Sequence, residues 1–331
     1  MSRNLPTAKE FIEGITSGDR MLLSRAITLI ESTKQKHQDL AQEIIEGCLP
    51  YAGNSIRIGI TGVPGVGKST FIEAFGNHVI KKEDRTLAVL AVDPSSSKTR
   101  GSILGDKTRM ETLSNHPKAY IRPTPTSGSL GGVARSTRET ITLCEAAGFN
   151  TILIETVGVG QSETAVHSMV DFFLLLMLAG AGDELQGIKR GIMEMADSIV
   201  INKADSGNEG AAKRALTEYK NALHLFPPTE SGWIPKVATC SAFHNKGIDE
   251  VWGIIEEYMR HTKAKGYFEQ NRKEQASYWL DESINQELHR AFYEDPALKN
   301  EMENFRRKVQ EGRLSSYKAA RDLMQIFLDN K

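Results

Sequence analysis

Residues 62–70 read GVPGVGKST and follow the pattern G-x-x-x-x-G-K-[ST], with its fixed positions at Gly62, Gly67, Lys68 and Ser69. In such a loop the glycines let successive backbone N–H groups turn inward around phosphate oxygens, while the lysine reaches the β- and γ-phosphates and the serine hydroxyl can ligate Mg²⁺. The pattern therefore predicts a nucleotide-phosphate site. The predicted binding residues of this stretch are Gly62, Val63, Pro64, Gly65, Val66, Gly67, Lys68, Ser69 and Thr70.

The flanks of this stretch supply the strand and the helix that a phosphate loop needs. Residues 55–61, SIRIGIT, are rich in β-branched side chains, and residues 71–82, FIEAFGNHVIKK, have the apolar spacing of a helix. A helix that begins at the loop directs the positive end of its dipole at the phosphates. A glycine-rich turn without a ligand is the alternative, but it does not account for this frame.

The composition indicates a globular protein without an electrostatic surface for nucleic acid. The chain has 331 residues, of which 40% are hydrophobic and 25% charged, and its net charge is −1. Its three cysteines are scattered without a C-x-x-C spacing, which argues for a reducing compartment and against a structural zinc site. The N-terminus lacks an apolar signal core, and residues 172–182 are too few to span a bilayer. A cytoplasmic location without membrane contact is expected.

From residue 55 onward, apolar runs typical of strands alternate with helical patterns. The runs cover residues 56–60, 87–92, 151–154, 172–178, 198–201 and 236–239, and the helical patterns include 132–147, 186–195 and 211–223. This alternation predicts an α/β fold, a mainly parallel P-loop NTPase sheet with helices on both faces. In such a sheet ligands bind at the C-terminal ends of the strands, which is where the polar motifs fall.

Helical additions are expected at both ends of this core. The first 50 residues carry apolar side chains at three- and four-residue steps, with a separate helix expected over 38–48. The last part of the chain is rich in charged residues and has Leu280, Ile284 and Leu288 at helical spacing, which suits a dimerisation arm; a cap on the core is the alternative. The predicted segments are an N-terminal helical extension at 1–50, a nucleotide-binding core at 51–262 and a C-terminal helical arm at 263–331.

Three acidic residues lie where a Mg²⁺ ion is expected. Asp93 and Asp106 belong to a segment rich in Ser, Thr and Gly that begins at the end of a predicted strand, and Glu155 follows the strand at 151–154. Such carboxylates offer hard oxygen ligands to Mg²⁺ directly or through water, although either Asp alone is more typical of a turn. The predicted metal ligands are Ser69, Asp93, Asp106 and Glu155, and the predicted catalytic residues are Lys68, Asp106 and Glu155.

Residues 155–158 have a D-x-x-G pattern with Glu in place of Asp, so that Gly158 occupies the position of a switch glycine. The next residue is Val159, where small GTPases often have a glutamine that orients the attacking water, and Gln161 two residues later cannot be assumed to replace it. In the preceding segment, Arg109 can either stabilise transition-state charge or form a surface ion pair. We therefore predict slow intrinsic hydrolysis, below about one turnover per second without a partner.

Two further motifs indicate guanine rather than adenine. NKAD at 202–205 and CSA at 240–242 each follow a predicted strand. The Asp205 carboxylate can accept hydrogen bonds from guanine N1–H and the exocyclic amine, neither of which adenine offers, and the Ala242 N–H is expected to reach guanine O6. The predicted base-binding residues are Asn202, Lys203, Asp205, Ser241, Ala242 and Phe243.

Residues 179–197, AGAGDELQGIKRGIMEMAD, follow another strand and alternate glycine with small and acidic residues. One interpretation is an ordinary connection between a strand and a helix. The other is a third mobile loop in which Asp183, Glu184 and Lys189 change partners with the nucleotide state.

Taken in order, these motifs resemble the MeaB/ArgK family of P-loop GTPases, which includes the methylmalonyl-CoA mutase-associated GTPases and the methylmalonic aciduria type A protein. The resemblance covers essentially the whole chain, most specifically residues 55–260. It implies a GTPase with Mg²⁺ that acts as chaperone for an adenosylcobalamin-dependent acyl-CoA mutase, gating cofactor loading and protecting or reactivating the mutase. It also implies a homodimer, with a cobalamin adenosyltransferase as a further partner. The implied switch-loop residues are Arg109, Gly158, Gln161, Asp183, Glu184 and Lys189.

Three other function classes stay open at this point. A kinase, a label once given to this family for arginine and ornithine transport, needs an acceptor pocket and a base beside the γ-phosphate, and no residue stands out for either role. A metal-insertion GTPase usually carries His/Cys clusters, whereas the eight histidines here are dispersed. A GTP-sensing interaction module differs from a chaperone in whether hydrolysis is used.

Overall fold

A seven-stranded sheet forms the centre of the computed structural model, which describes residues 5–92, 110–124, 130–156, 162–180 and 190–330. The strands are β1 (Ile56–Gly62), β2 (Leu87–Val92), β3 (Ala119–Thr124), β4 (Thr151–Thr156), β5 (Phe172–Leu178), β6 (Ser198–Asn202) and β7 (Lys236–Thr239). Their order across the sheet is β3-β2-β4-β1-β5-β6-β7, and each neighbouring pair is parallel. The predicted α/β fold with a parallel sheet is confirmed.

Along the chain, helices precede the first strand, connect the strands and follow the last one. They are α1 (Ala8–Thr16), α2 (Arg20–Ile30), α3 (Gln35–Cys48), α4 (Lys68–Lys82), α5 (Glu111–Ser114), α6 (Leu130–Ala146), α7 (Ser162–His167), α8 (Arg190–Met195), α9 (Glu209–Leu223), α10 (Ile248–Ala264), α11 (Tyr267–Tyr293), α12 (Pro296–Gln310) and α13 (Ser316–Asp329). None of these helices combines the length and the apolar character that crossing a bilayer requires.

Both faces of the sheet are buried, and β5 shows how its residues alternate between them. Leu174 and Leu176 belong to the core under α4 and α10, where the rings of Phe75 and Trp252 lie 6.0 Å apart. Leu175 and Met177 point to the opposite side and belong to a core that includes buried residues of α9. Because both faces of a parallel sheet are covered, its strands read as continuous apolar runs rather than as alternating ones.

The strand β3 is absent from the prediction, and its position explains why. Its sequence AYIRPT includes Pro123, which cannot donate a ladder hydrogen bond and is tolerated at a sheet edge, where β3 lies. Residues of the N-terminal region contact this edge strand: Tyr120 Oη lies 3.0 Å from Ser24 Oγ, and Arg122 donates to Glu31 at 2.6 Å. These contacts support a packing role for the N-terminal helices.

The N-terminal region has three helices where the sequence suggested two. Gly18, with φ of 85°, ends α1 in the left-handed region, and the Asp19 carboxylate caps α2 by accepting from the Met21 and Leu22 N–H groups. The apolar spacing continues across this break, so it does not reveal the turn.

The chain divides into two compact units, Met1–Lys273 and Glu274–Lys331. The first contains the sheet together with α1–α3. In the second, α12 and α13 pack against each other, Leu298 and Leu323 are buried, and the Phe292 and Phe327 rings lie 5.4 Å apart. The three segments suggested by the sequence stay a prediction.

Candidate nucleotide-binding site

The loop between β1 and α4 has a backbone conformation that requires glycine at several positions. Gly65 and Gly67 have φ of 82° and 91°, in the left-handed region that favours glycine. At Gly62 an added Cβ would lie 2.4 Å from the Leu176 carbonyl oxygen, closer than real contacts allow. The glycines therefore let the loop turn tightly at the C-terminal end of β1, and α4 begins at Lys68 with its N-terminus at the loop.

The Lys68 side chain lies back over this loop. Its Nζ donates to the Gly62 carbonyl at 2.8 Å and to the Val63 carbonyl at 3.5 Å. Burial lowers the pKa of Lys68, while the carboxylates of Glu155 and Glu163 act in the opposite direction. The ammonium group is thus held at the loop by weak acceptors, which phosphate oxygens can replace.

Two of the predicted metal ligands lie together. Ser69 follows Lys68 in α4, and Glu155 lies on β4, next to β1; the Ser69 hydroxyl donates to Glu155 Oε1 at 3.3 Å. A hydroxyl group and a carboxylate are hard oxygen donors of the kind that Mg²⁺ accepts. Among the described residues no group of three or more His, Cys, Asp or Glu side chains could hold a metal ion.

Asn202, the last residue of β6, connects the phosphate loop to the CSA motif after β7. Its buried side-chain amide donates to the Val66 carbonyl at 2.9 Å, and its Oδ1 accepts from the Ala242 N–H at 3.1 Å and from Cys240 Sγ at 3.4 Å. The Ala242 N–H, which we expected to contact guanine O6, is therefore engaged by Asn202 here. Lys203 adds a second link, since its Nζ donates to the Gly65 carbonyl at 2.8 Å.

The carboxylate of Asp205, which follows β6, is oriented by Ser241, which follows the neighbouring strand β7. The Ser241 hydroxyl donates to Asp205 Oδ2, and this hydrogen bond lowers the pKa of Asp205. Ser241 Oγ in turn accepts from the His244 N–H at 3.2 Å. The carboxylate is thus ionised at neutral pH and available as a hydrogen-bond acceptor. Phe243, another predicted base-binding residue, is 79% exposed beside this loop.

Several predicted residues fall outside the described ranges. They are Asp93, Asp106, Arg109, Gly158, Gln161, Asp183, Glu184 and Lys189. Of the predicted P-loop residues, Val66 is buried in the core, whereas Pro64 and Thr70 are exposed.

One residue close to the site was not among the predicted site residues. Glu163, in the first turn of α7, is 1% exposed and lies within electrostatic range of Lys68. The available signal was an acidic residue a few positions after Gly158, which a single sequence does not distinguish from an ordinary helix N-terminus.

Comparison with known proteins gives consistent matches over nearly the whole chain. The model of the family described as methylmalonyl-CoA mutase-associated GTPase MeaB matches residues 23–297. A probable GTPase of Mycobacterium tuberculosis is 49% identical over 312 residues, 94% of this chain and 93% of that protein. The mitochondrial methylmalonic aciduria type A homolog of Mus musculus is 45% identical over 324 residues, 95% of this chain and 78% of that protein.

A solved structure is also similar. The crystal structure of a protein described as a LAO/AO transport system kinase has a TM-score of 0.77 and 37% identity, and the match covers 99% of this chain and 100% of that one. The family resemblance seen in the sequence and the assignment as a GTPase are both confirmed by these matches. The chain belongs to the MeaB family of GTPases.

Proposed function

We propose that this GTPase binds GTP with Mg²⁺ at residues 62–70 and acts as a chaperone for an adenosylcobalamin-dependent acyl-CoA mutase. The observation that carries the GTP site is the Asn202 side chain, which bonds both to the phosphate loop and to the loop after β7. The family description and the mouse relative's name support methylmalonyl-CoA mutase as the client. In this role the protein gates cofactor loading and protects or reactivates the mutase.

We assign each residue of the site a role in this proposal. Backbone N–H groups of the loop and Lys68 hold the β- and γ-phosphates, and Asp205 accepts hydrogen bonds from the guanine base. Ser69 and Glu155 would hold Mg²⁺, which when bound neutralises charge on the phosphate oxygens. Asp93 and Asp106 complete the proposed metal ligands, and Asp106 is proposed to serve hydrolysis together with Lys68 and Glu155.

Nucleotide-dependent binding to a purified mutase tests this proposal. Titration calorimetry should show GTP bound more tightly than ATP, and the affinity for methylmalonyl-CoA mutase should differ between GDP and a non-hydrolysable GTP analogue. Transfer of adenosylcobalamin into the apo-mutase should depend on GTP hydrolysis, and a cobalamin adenosyltransferase is the second partner to test as its donor.

The Lys68→Ala variant is the matched control, since it should lose GTP affinity without loss of fold. A preference for ATP over GTP would overturn the nucleotide assignment. Equal mutase affinity in all nucleotide states, with cofactor transfer unaffected by GTP, would overturn the chaperone role.

The C-terminal arm is proposed to form a homodimer. On α11, Leu280, Ile284 and Leu288 recur every four residues, so they share one face of the helix, and they are 61%, 48% and 60% exposed. An apolar stripe of this kind on a long charged helix is typical of a helix–helix interface.

A kinase is the second function to distinguish, because the similar solved structure carries that description. Incubation with GTP alone decides between them. A GTPase releases inorganic phosphate without an acceptor, whereas a kinase needs one and transfers the γ-phosphate to it.

A further inference from the structure

Glu163 presents a buried carboxylate in a position that none of the roles above uses. It lies in the first turn of α7, the helix that follows residues 157–161, and its side chain is 1% exposed. The helix packs against the central part of the sheet: an added Cβ at Gly59, on β1, would lie 3.1 Å from Val166 Cγ1. Glu163 is therefore fixed beside β1, the strand that leads into the phosphate loop.

Only one of the two carboxylate oxygens of Glu163 is satisfied within the part of the chain that the structure describes. Oε2 accepts from the Ser162 hydroxyl at 3.2 Å, whereas the buried Oε1 has no hydrogen-bond partner. Buried carboxylate oxygens are almost always hydrogen-bonded, because an unpaired one forfeits its hydration. An oxygen left in this state next to a ligand site is suited to a donor that arrives with the ligand.

Glu163 acts electrostatically on Lys68, the residue proposed to hold the β- and γ-phosphates. Burial lowers the pKa of Lys68, and Glu155 and Glu163 both counteract this effect, so both carboxylates act on the ammonium group at the loop. Glu155 already accepts from Ser69, the predicted Mg²⁺ ligand. Glu163 uses only Oε2, for its hydrogen bond from Ser162, which leaves Oε1 for a different partner.

We infer that Glu163 is a further catalytic residue, whose Oε1 accepts a hydrogen bond from the water that attacks the γ-phosphate of GTP. The water oxygen forms a bond to the γ-phosphorus while the bond from that phosphorus to the β,γ-bridging oxygen breaks, and the electron pair stays on GDP. One proton of the water passes to the carboxylate and then to a phosphate oxygen, so that GDP and inorganic phosphate leave. The inference rests on the proposed binding of the γ-phosphate at Lys68.

This role would fill a gap in the sequence pattern. The residue after Gly158 is Val159, which cannot donate or accept a hydrogen bond through its side chain, so a water-orienting group must come from elsewhere. Glu163 supplies an acceptor four residues later in the chain.

Single-turnover hydrolysis by full-length Glu163→Gln tests the inference. Glutamine keeps the size of the side chain but removes the charge, so the hydrolysis rate should fall about 100-fold, while the affinities for GTP and GDP stay within about threefold. Glu163→Ala should lose as much, and added formate should restore part of its rate, because a small carboxylate can occupy the space of the lost one. A purely structural role predicts no rescue by formate.

The matched control is Glu73→Gln, which removes the same charge from a half-buried residue of α4 whose carboxylate accepts from the Thr112 N–H at 2.9 Å. Its hydrolysis rate should stay within about twofold of the unmodified protein. A Glu163→Gln protein that binds GTP and hydrolyses it at the unmodified rate would overturn the inference, as would a Glu163→Ala protein that folds, binds GTP and gains nothing from formate. Lys68→Ala separates the two proposals, since undiminished GTP affinity in that variant would contradict the phosphate site itself.

Discussion

The Asp205 carboxylate accepts a hydrogen bond from Ser241, and it stays ionised because this bond lowers its pKa. At the scale of single residues, base selection then depends on matching donors with acceptors. Guanine offers two donors to a carboxylate, and a carboxylate has only acceptors to offer in return. Asn202 has a different task, because its amide and carbonyl groups are both used within the protein.

Exchange of Asp205 for Asn is expected to change the preferred base. The amide keeps one acceptor but adds a donor, so GTP should bind about 100-fold more weakly. Xanthosine triphosphate, which has an oxygen in place of the exocyclic amine, should bind the variant better than GTP does. Competition against a fluorescent nucleotide measures both affinities. Ser241→Ala is the graded control, with an expected loss of about fivefold, and an unchanged preference for GTP in Asp205→Asn would contradict the role of Asp205.

Asp197 makes the stability of the protein depend on pH. Its Oδ2 accepts from the Phe173 N–H at 2.8 Å, and burial raises its pKa from 3.8 to about 7. The folded state therefore binds this proton more tightly than the unfolded state does. Stability from this group is fully present below about pH 4 and is lost as the pH rises through 7.

The variant Asp197→Asn should become progressively more stable than the unmodified protein between about pH 4 and pH 7. Asparagine stays neutral and keeps an acceptor for the Phe173 N–H, so it resembles the protonated aspartic acid. The difference in unfolding free energy should grow by about 2–4 kcal/mol over this range and then stay level. Chemical denaturation at several pH values measures it. A difference that is constant from pH 4 to pH 8 would show that Asp197 ionises normally in the folded protein.

The site illustrates what a single sequence can predict about individual residues. Short motifs after strands indicate which segments meet, because the C-terminal ends of parallel strands lie at one edge of the sheet. Asn202, Ala242 and the phosphate loop are adjacent for this reason. The contact of the Ala242 N–H with Asn202 and the burial of Glu163 depend on side-chain packing, which spacing along the chain does not encode.

At the scale of elements, a buried ion pair ties the start of α11 to the sheet. The Arg272 guanidinium donates to both oxygens of Asp171, at 2.8 and 2.7 Å, and also to the carbonyls of Gly53 and Ser55. Asp171 precedes β5 and accepts in addition from the Arg57 N–H of β1 at 2.8 Å. These contacts lie at the N-terminal ends of the strands, whereas the phosphate loop lies at their C-terminal ends.

Arg272→Met should destabilise the protein without weakening nucleotide binding. The variant leaves the Asp171 carboxylate buried without its counter-charge, so the unfolding free energy should fall by about 3–5 kcal/mol. Its GTP affinity should stay within about twofold, because the phosphate loop lies at the C-terminal ends of the strands, away from Arg272. Lys273→Met, an exposed neighbour on the same helix, is the control, with a change below about 0.5 kcal/mol. Equal denaturation midpoints for the two variants would contradict this account.

Elements with strong periodicity could be predicted from the sequence, and those defined by long-range contacts could not. The runs at β2 and β5 are continuous and apolar because both of their faces are buried. β3 contains Pro123 and Arg122 and is stabilised by β2 and by α2, a helix about 90 residues earlier in the chain. Arg272 and Asp171 are 101 residues apart in the sequence, so no local pattern predicts that they form an ion pair.

At the scale of the whole molecule, the exposed stripe on α11 leads to a prediction about assembly. The triple variant Leu280→Gln, Ile284→Gln, Leu288→Gln keeps helix-forming side chains but removes the apolar face, so a dimer formed through it should dissociate. Light scattering should then give the 36.6 kDa mass of one chain in place of twice that value. The double variant Asp281→Asn, Asn285→Gln changes exposed polar positions of the same helix and should stay dimeric. GTP affinity should be the same in all three proteins, because the stripe lies in a different compact unit from the phosphate loop. An unmodified protein that is monomeric at micromolar concentration, or a triple variant that is still dimeric, would rule out α11 as the dimer interface.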